Sequence, residues 1–109
     1  ASVTRRYSFT AVHESHRGHT WDVFVSVHGP IDRETGMVTD IVALDRLVHD
    51  RVLGPFEGRD LRIALATPSV TGEYLAKAVW DRIVSAVPAG RLQLVKLVQT
   101  RDLSYEYCG

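Results

Sequence analysis

Apolar and polar residues alternate over two stretches near the start of the chain. Val3, Tyr7, Phe9 and Ala11 share one parity, and Trp21, Val23, Val25 and Val27 share another. Side chains of an extended backbone point to opposite faces in turn, so the pattern predicts strands over 3–12 and 20–28, each with one buried face. From Ile41 the period changes: Ile41, Leu44, Val48 and Val52 recur at helical spacing, with Asp40 placed to cap the first turn and Gly54 to stop the helix. A second stripe, Leu75, Val79, Ile83 and Val87 with Ala76 and Trp80 beside it, predicts a helix ended by Pro88 and Gly90. Residues 91–100, RLQLVKLVQT, read as a strand, and LSYEY at 103–107 as its hairpin partner across Thr100, Arg101 and Asp102. GPFEGRD is expected to be loop, and DLRIALA at 60–66 a short strand or an extended approach to Pro68. The order strand, strand, helix, helix, strand, strand predicts an α+β fold of one domain over 1–109: a four-stranded antiparallel sheet with both helices on one face. So small a sheet has open edges, which proteins cover, charge or pair with a neighbouring subunit.

Composition narrows the function classes. The chain has 109 residues, 45% hydrophobic and 24% charged, enough for one core and too few for two. Thirteen basic residues balance thirteen acidic ones. The basic footprint of a nucleic-acid or anionic-membrane binder is therefore missing, and small molecules or protein partners are the expectation. A net charge of zero does little to keep copies apart, which fits a homo-oligomer subunit. No apolar run is long enough to span a bilayer and the start, ASVTRRYSF, has no apolar signal core, so a cytoplasmic location is expected. The single cysteine, Cys108, has no internal disulfide partner and reads as an incidental thiol.

Between the first two strands runs AVHESHRGHTW, with histidines at 13, 16 and 19. Together with the element order, the short motifs give the chain a family likeness. YSFTAVH resembles the opening strand of the 6-pyruvoyl-tetrahydropterin synthase family, which includes the 6-carboxy-tetrahydropterin synthases of queuosine biosynthesis and runs Phe-x-Ala-Ala-His. GHTWDVFVSVHGPIDRETGMVTDIVALDRLV is similar to the family's Gly-His-(Asn/Thr)-(Tyr/Trp) strand, hairpin and Gly-Met-Val-x-Asp-Phe helix entry. VTGEYLAKAVWDRI is similar to Pro-Thr-x-Glu-x-Leu-Ala-x-x-Ile-Trp, with Thr71, Glu73, Leu75 and Ala76 in register, and LVKLVQTRDLSYEY to the closing Val-x-Val-x-Glu-Thr hairpin. The resemblance implies a T-fold subunit whose edge strands join those of neighbours into a barrel, in an assembly of about three to six subunits, with active sites at subunit interfaces.

The resemblance also implies a zinc site of three histidines, and here the chain departs from the pattern. His13 and His19 match two ligand positions, but Arg17 stands where the middle ligand belongs. A catalytic zinc takes three nitrogen ligands at roughly 2.0–2.1 Å and keeps an open position. Residues 17 and 19 share a strand face and 16 lies on the other, so His16 completes the set only through a bulge, which Gly18 tolerates. Two readings stay open: zinc on His13, His16 and His19 with Arg17 turned to a substrate carboxylate or phosphate, or a metal-free pocket whose imidazoles exchange protons or are merely solvated. A guanidinium cannot ligate and raises the electrostatic cost of a nearby cation.

Other departures concern the groups that would move protons and anchor substrate. The family cysteine before His-Gly-His has no counterpart, and Glu14 is the candidate for proton transfer in its place. The family Asp-His pair is matched to LVHDRVLG in reversed order, as His49 then Asp50; adjacent helical residues point about 100° apart, so one of the two can face a pocket. Gln99 before Thr100 replaces the glutamate that anchors the pterin's amino-pyrimidine, exchanging a carboxylate for an amide, and implies a changed ligand. Glu73, near a helix start, is either a dipole partner or a substrate contact. With these departures, the resemblance implies a divergent lyase or cyclase acting on a small polar substrate at an intersubunit pocket, set against a non-catalytic T-fold subunit that binds or scaffolds. A third reading, a true tetrahydropterin synthase with a rebuilt site, would turn over dihydroneopterin triphosphate.

Overall fold

The computed structural model describes residues 1–12 and 18–109. Strands β1 (Ser2–Ala11), β2 (His19–His28), β3 (Arg91–Thr100) and β4 (Leu103–Tyr107) form one antiparallel sheet in the order β1-β2-β3-β4. The expected parity holds. Phe9 and Ala11 of β1, Trp21, Val23, Val25 and Val27 of β2, and Leu92, Val95 and Leu97 of β3 are buried on one face. That face is covered by the helices between β2 and β3. Outer strands β1 and β4 each pair on one side only.

Helix α1 (Ile41–Val48) begins where Asp40 accepts from the Ala43 backbone N–H at 3.1 Å, as the capping pattern predicts. It does not stop at Gly54. The chain continues through a π-helical turn, His49–Leu53, into a last turn α2 (Gly54–Phe56), so the first three residues of the expected GPFEGRD loop are helical. Gly54 keeps a right-handed helical φ of −58°, so it acts here as an ordinary helical residue rather than as a stop. Pro55 has no N–H and so leaves the Arg51 carbonyl without its helical donor. Arg82 fills the vacancy, its Nη1 donating to the Arg51 carbonyl at 3.2 Å, while Arg51 Nη1 donates to the Arg82 carbonyl at 3.3 Å. The Arg82 guanidinium also lies 4.6 Å above the Phe56 ring centre, and Phe56 in turn meets Phe9 at 5.6 Å. This clasp ties the helical tail to Arg82 on the later helix of residues 72–83, which local sequence preference does not reveal.

Residues 60–66 are not a strand. Asp60 accepts from the Arg62 N–H at 2.9 Å and starts a one-turn helix, α3 (Leu61–Ala64), that buries Leu61. The main helix α4 (Gly72–Ile83) is capped by Thr71, whose Oγ1 accepts from the Tyr74 N–H at 3.2 Å. It buries Leu75, Ala76, Val79 and Ile83 and ends at Ile83, a turn earlier than the run to Val87 predicts, because residues 84–86 form a turn ahead of Pro88.

Two irregularities re-aim β3. Register shifts fall between Ser26 and Val27 in the pairing with β2, and between Val98 and Thr100 in the pairing with β4, where Gln99 is the unpaired extra residue. Bulges of this kind turn a side chain out of strict alternation.

Candidate active site

His19 opens β2 on the same face as Trp21, half-buried, with its ring edge-on to the indole at 5.0 Å. Its Nε2 is 2.5 Å from the Gln99 carbonyl oxygen. A carbonyl only accepts, so Nε2 carries a proton and donates, as a metal-binding imidazole does when it ligates through its other nitrogen. Gln99 in turn lines a hollow of about 230 Å³ with Val70, Thr71, Gly72, Glu73, Leu103 and Tyr105. The bulge turns Gln99 toward it, the start of α4 brings Thr71 to Glu73, and β4 contributes Leu103 and Tyr105. Within the hollow the Tyr105 hydroxyl donates to Gln99 Oε1 at 3.0 Å.

Of the residues singled out in the sequence, Glu73, Gln99 and His19 meet in this region. Thr100 is exposed, pairs with Leu103 and does not line the hollow. His13, Glu14, His16 and Arg17 lie outside the described residues. Among the described residues, no group of three His, Cys, Asp or Glu side chains is placed to hold a metal. The connection's ends are nonetheless fixed. Val12 donates to the Arg59 carbonyl at 2.9 Å and accepts from Leu61 at 2.7 Å, and Glu57 Oε2 accepts from the Thr10 N–H at 2.7 Å. Glu57 thus sets a carboxylate at the end of β1.

His49 and Asp50 are both exposed, and one chain does not bring them to the Gln99 hollow. His49 lines a separate open hollow with Arg5, Arg6, Tyr7, Asp45, Arg46 and Leu53. The centre of that cluster is Asp45, which accepts from the Tyr7 hydroxyl at 2.7 Å and from Arg5 through two nitrogens at 3.1 and 3.2 Å. The Tyr7 hydrogen bond, with the Arg5 bonds and charge, holds the Asp45 carboxyl below the usual carboxylate range against a smaller desolvation effect. Burial, reinforced by Asp45, pushes the Tyr7 phenol up. A depressed carboxyl contributes stability that is present above its ordinary range and is lost as pH falls through its folded value. Tyr7→Phe is therefore expected to cost about 1 kcal/mol at neutral pH, and the gap to the parent should narrow as the medium is acidified below about pH 4. Denaturant unfolding at neutral and acid pH checks both; a gap independent of pH would contradict the assignment.

Sequence reasoning missed Tyr105 and Gly72. Tyr105 was legible in part, since its pairing with Leu97 puts it on the helix-facing side of the sheet. Gly72 carried no signal, because its role depends on a contact from β4 across the sheet edge.

An antiparallel sheet of this order, backed on one face by α4 and the α1 unit, with a histidine and a polar hollow at one end of the central strands, defines the T-fold class. The chain belongs to the 6-pyruvoyl tetrahydropterin synthase family, whose model matches residues 3–109. It is 29% identical to the 6-pyruvoyl tetrahydrobiopterin synthase of Homo sapiens over a 133-residue alignment covering 100% of this chain and 92% of that protein. To the enzyme of that name from Drosophila melanogaster it is 32% identical over 121 residues, 88% of this chain and 67% of the relative. The structure of Caenorhabditis elegans 6-pyruvoyl tetrahydropterin synthase superposes with a TM-score of 0.90 at 22% identity, covering 100% of this chain and 95% of that one, and shows the same fold. Among the described residues, no helix is long and apolar enough to cross a membrane.

Proposed function

We propose that the chain is a lyase or cyclase that works on a small polar heterocycle in an intersubunit pocket, as part of a homo-oligomer, in a specialised biosynthetic route. The observation that carries this reading is the convergence of His19, Gln99, Glu73 and Tyr105 at one end of the sheet. Glu73 and Gln99 offer an acceptor and a donor to a polar ring, and an imidazole nearby is suited to proton exchange at neutral pH. Family membership supports the reaction class, and the exchange of carboxylate for amide at Gln99 supports a substrate other than that of the named relatives.

Zinc on His13, His16 and His19 belongs to this proposal. The His19 ring suits such a set by type, because an imidazole that donates from Nε2 to a backbone carbonyl can ligate a metal through Nδ1. Such an ion supplies polarisation of a carbonyl or hydroxyl next to the carbon that loses its proton. Glu14, His16 and His49, the last from whichever copy presents it, are the candidates for moving protons, and Arg17 for holding an anionic group on the substrate.

The outer strands β1 and β4 support assembly, since β4 and the part of β1 before Thr10, whose backbone Glu57 and Gly58 already engage, lie at the sheet edges where a neighbour can pair. Sedimentation of the purified protein should give a mass of about three to six subunits. The same preparation should turn over a substrate from a panel of small oxygenated heterocycles. A monomer without turnover would favour the other reading, a T-fold binding module, and turnover of dihydroneopterin triphosphate would instead favour a tetrahydropterin synthase with a rebuilt site.

A further inference from the structure

The Tyr105 ring packs directly on the backbone of Gly72. A Cβ added to Gly72 would lie 2.0 Å from Tyr105 Cε2 and 2.2 Å from Cδ2, far inside contact distance. Gly72 is buried at the first position of α4, where an alanine would suit the helix better, so the missing side chain answers a packing need. What the ring achieves there is to hold its hydroxyl 3.0 Å from Gln99 Oε1, donating to it. An amide whose oxygen is already engaged in this way has Nε2 left to offer a ligand, and no partner for Nε2 is present among the described residues.

Resting on the reading of this hollow as the substrate subsite, we infer that Tyr105 sets the specificity of the subsite by fixing the Gln99 amide, so that it selects a ring carbonyl over an exocyclic amine. The ligand class is a cyclic imide, such as a pteridine-2,4-dione or a pyrimidine dione, in preference to a 2-amino-4-oxo ring. A carboxylate at this position accepts two N–H groups, which suits an amino-pyrimidine edge. The Gln99 amide held by Tyr105 presents an N–H instead. A 2-amino group against Nε2 sets donor against donor, whereas a 2-oxo group accepts from it. Glu73, on the same hollow, provides the acceptor for the ring N–H that a dione carries between its carbonyls. Tyr105 touches Gln99 and acts through it, so it is a positioning residue.

Fluorescence titration of the purified full chain with pteridine-2,4-dione and with pterin, two rings that differ in the 2-substituent and in the N1 proton that goes with it, tests the inference. The parent should bind the dione more tightly by on the order of ten-fold, the scale of one mismatched hydrogen bond. Tyr105→Phe should bring the ratio of the two dissociation constants close to one, and Gly72→Ala, which drives the ring off the helix start, should do the same. Gln99→Glu should reverse the preference. A loss of packing alone would weaken both ligands together and leave the ratio where it was. If Tyr105→Phe fails to fold, the near-isosteric Gln99→Glu carries the same test. A parent that binds pterin as well as or better than the dione, or a ratio unmoved by Tyr105→Phe or Gln99→Glu, overturns the inference and leaves the subsite reading intact. Binding of neither ring overturns both.

Discussion

Phe56→Ala is expected to remove about 3–5 kcal/mol of folding stability, the cost of emptying a fully enclosed aromatic site. Phe56 is completely buried although it ends a three-residue turn that begins with Gly54 and Pro55. Its ring is packed against Phe9 from the sheet and roofed by the Arg82 guanidinium. Removing it opens a cavity between β1 and the helical layer and strips Arg82 of one of its two anchors, the other being the Arg51 carbonyl. The measurement is a denaturant midpoint for parent and variant at one fixed protein concentration, since assembly contributes to apparent stability. If the segment were surface loop, as its glycines and proline suggest, the change would stay within about 0.5 kcal/mol.

His19→Ala is expected to lower turnover by about 100-fold or more, with little loss of folded protein. The scale follows from removing a proton-exchanging or metal-binding imidazole, either of which is worth about two or more powers of ten in rate. His19 is half-buried and leans edge-on against Trp21, so its deletion trims one face of a contact that the fully buried indole does not depend on. The control lies on the same strand. His28, at the other end of β2, contacts the Ser2 hydroxyl at 2.9 Å and is remote in sequence and register from Gln99. His28→Ala should leave turnover within about two-fold, which separates a site effect from a generic loss of imidazole. Steady-state rates on the substrate found by screening give both comparisons.

Period carried most of the fold. Trp21, Val23, Val25 and Val27 disclose a strand because a pleated backbone sorts neighbours to opposite faces whatever surrounds it, and all four are buried as the parity requires. The α4 stripe from Leu75 to Ile83 is legible for the same reason at the helical period. What escaped depends on partners distant in sequence. Gly54 and Pro55 look like a stop, and the helix passes through them only because Arg82, some thirty residues on, meets the carbonyl that Pro55 orphans. DLRIALA mixes apolar and polar residues in a way that suits either structure over so few positions, and the Asp60 cap decided it.

The site divides along the same line. His19, Glu73 and Gln99 were legible as types in a family pattern, but their meeting depends on the bulge at Gln99, which period-two reading cannot locate. His49 and Asp50 were matched to a family pair in reversed order, and within one chain His49 lines the hollow around Asp45. The Tyr105 and Gly72 pair was invisible because a glycine reports nothing about what lies against it.

His19 is proposed to belong to a metal-binding imidazole set beside the Gln99 hollow. Elemental analysis of the purified protein tests it most directly, with parent and His19→Ala prepared side by side without added chelator. The parent should carry close to one zinc for each chain, and a folded His19→Ala almost none. Parent protein that turns over substrate while carrying no zinc, or a His19→Ala variant that keeps its full complement, would contradict it.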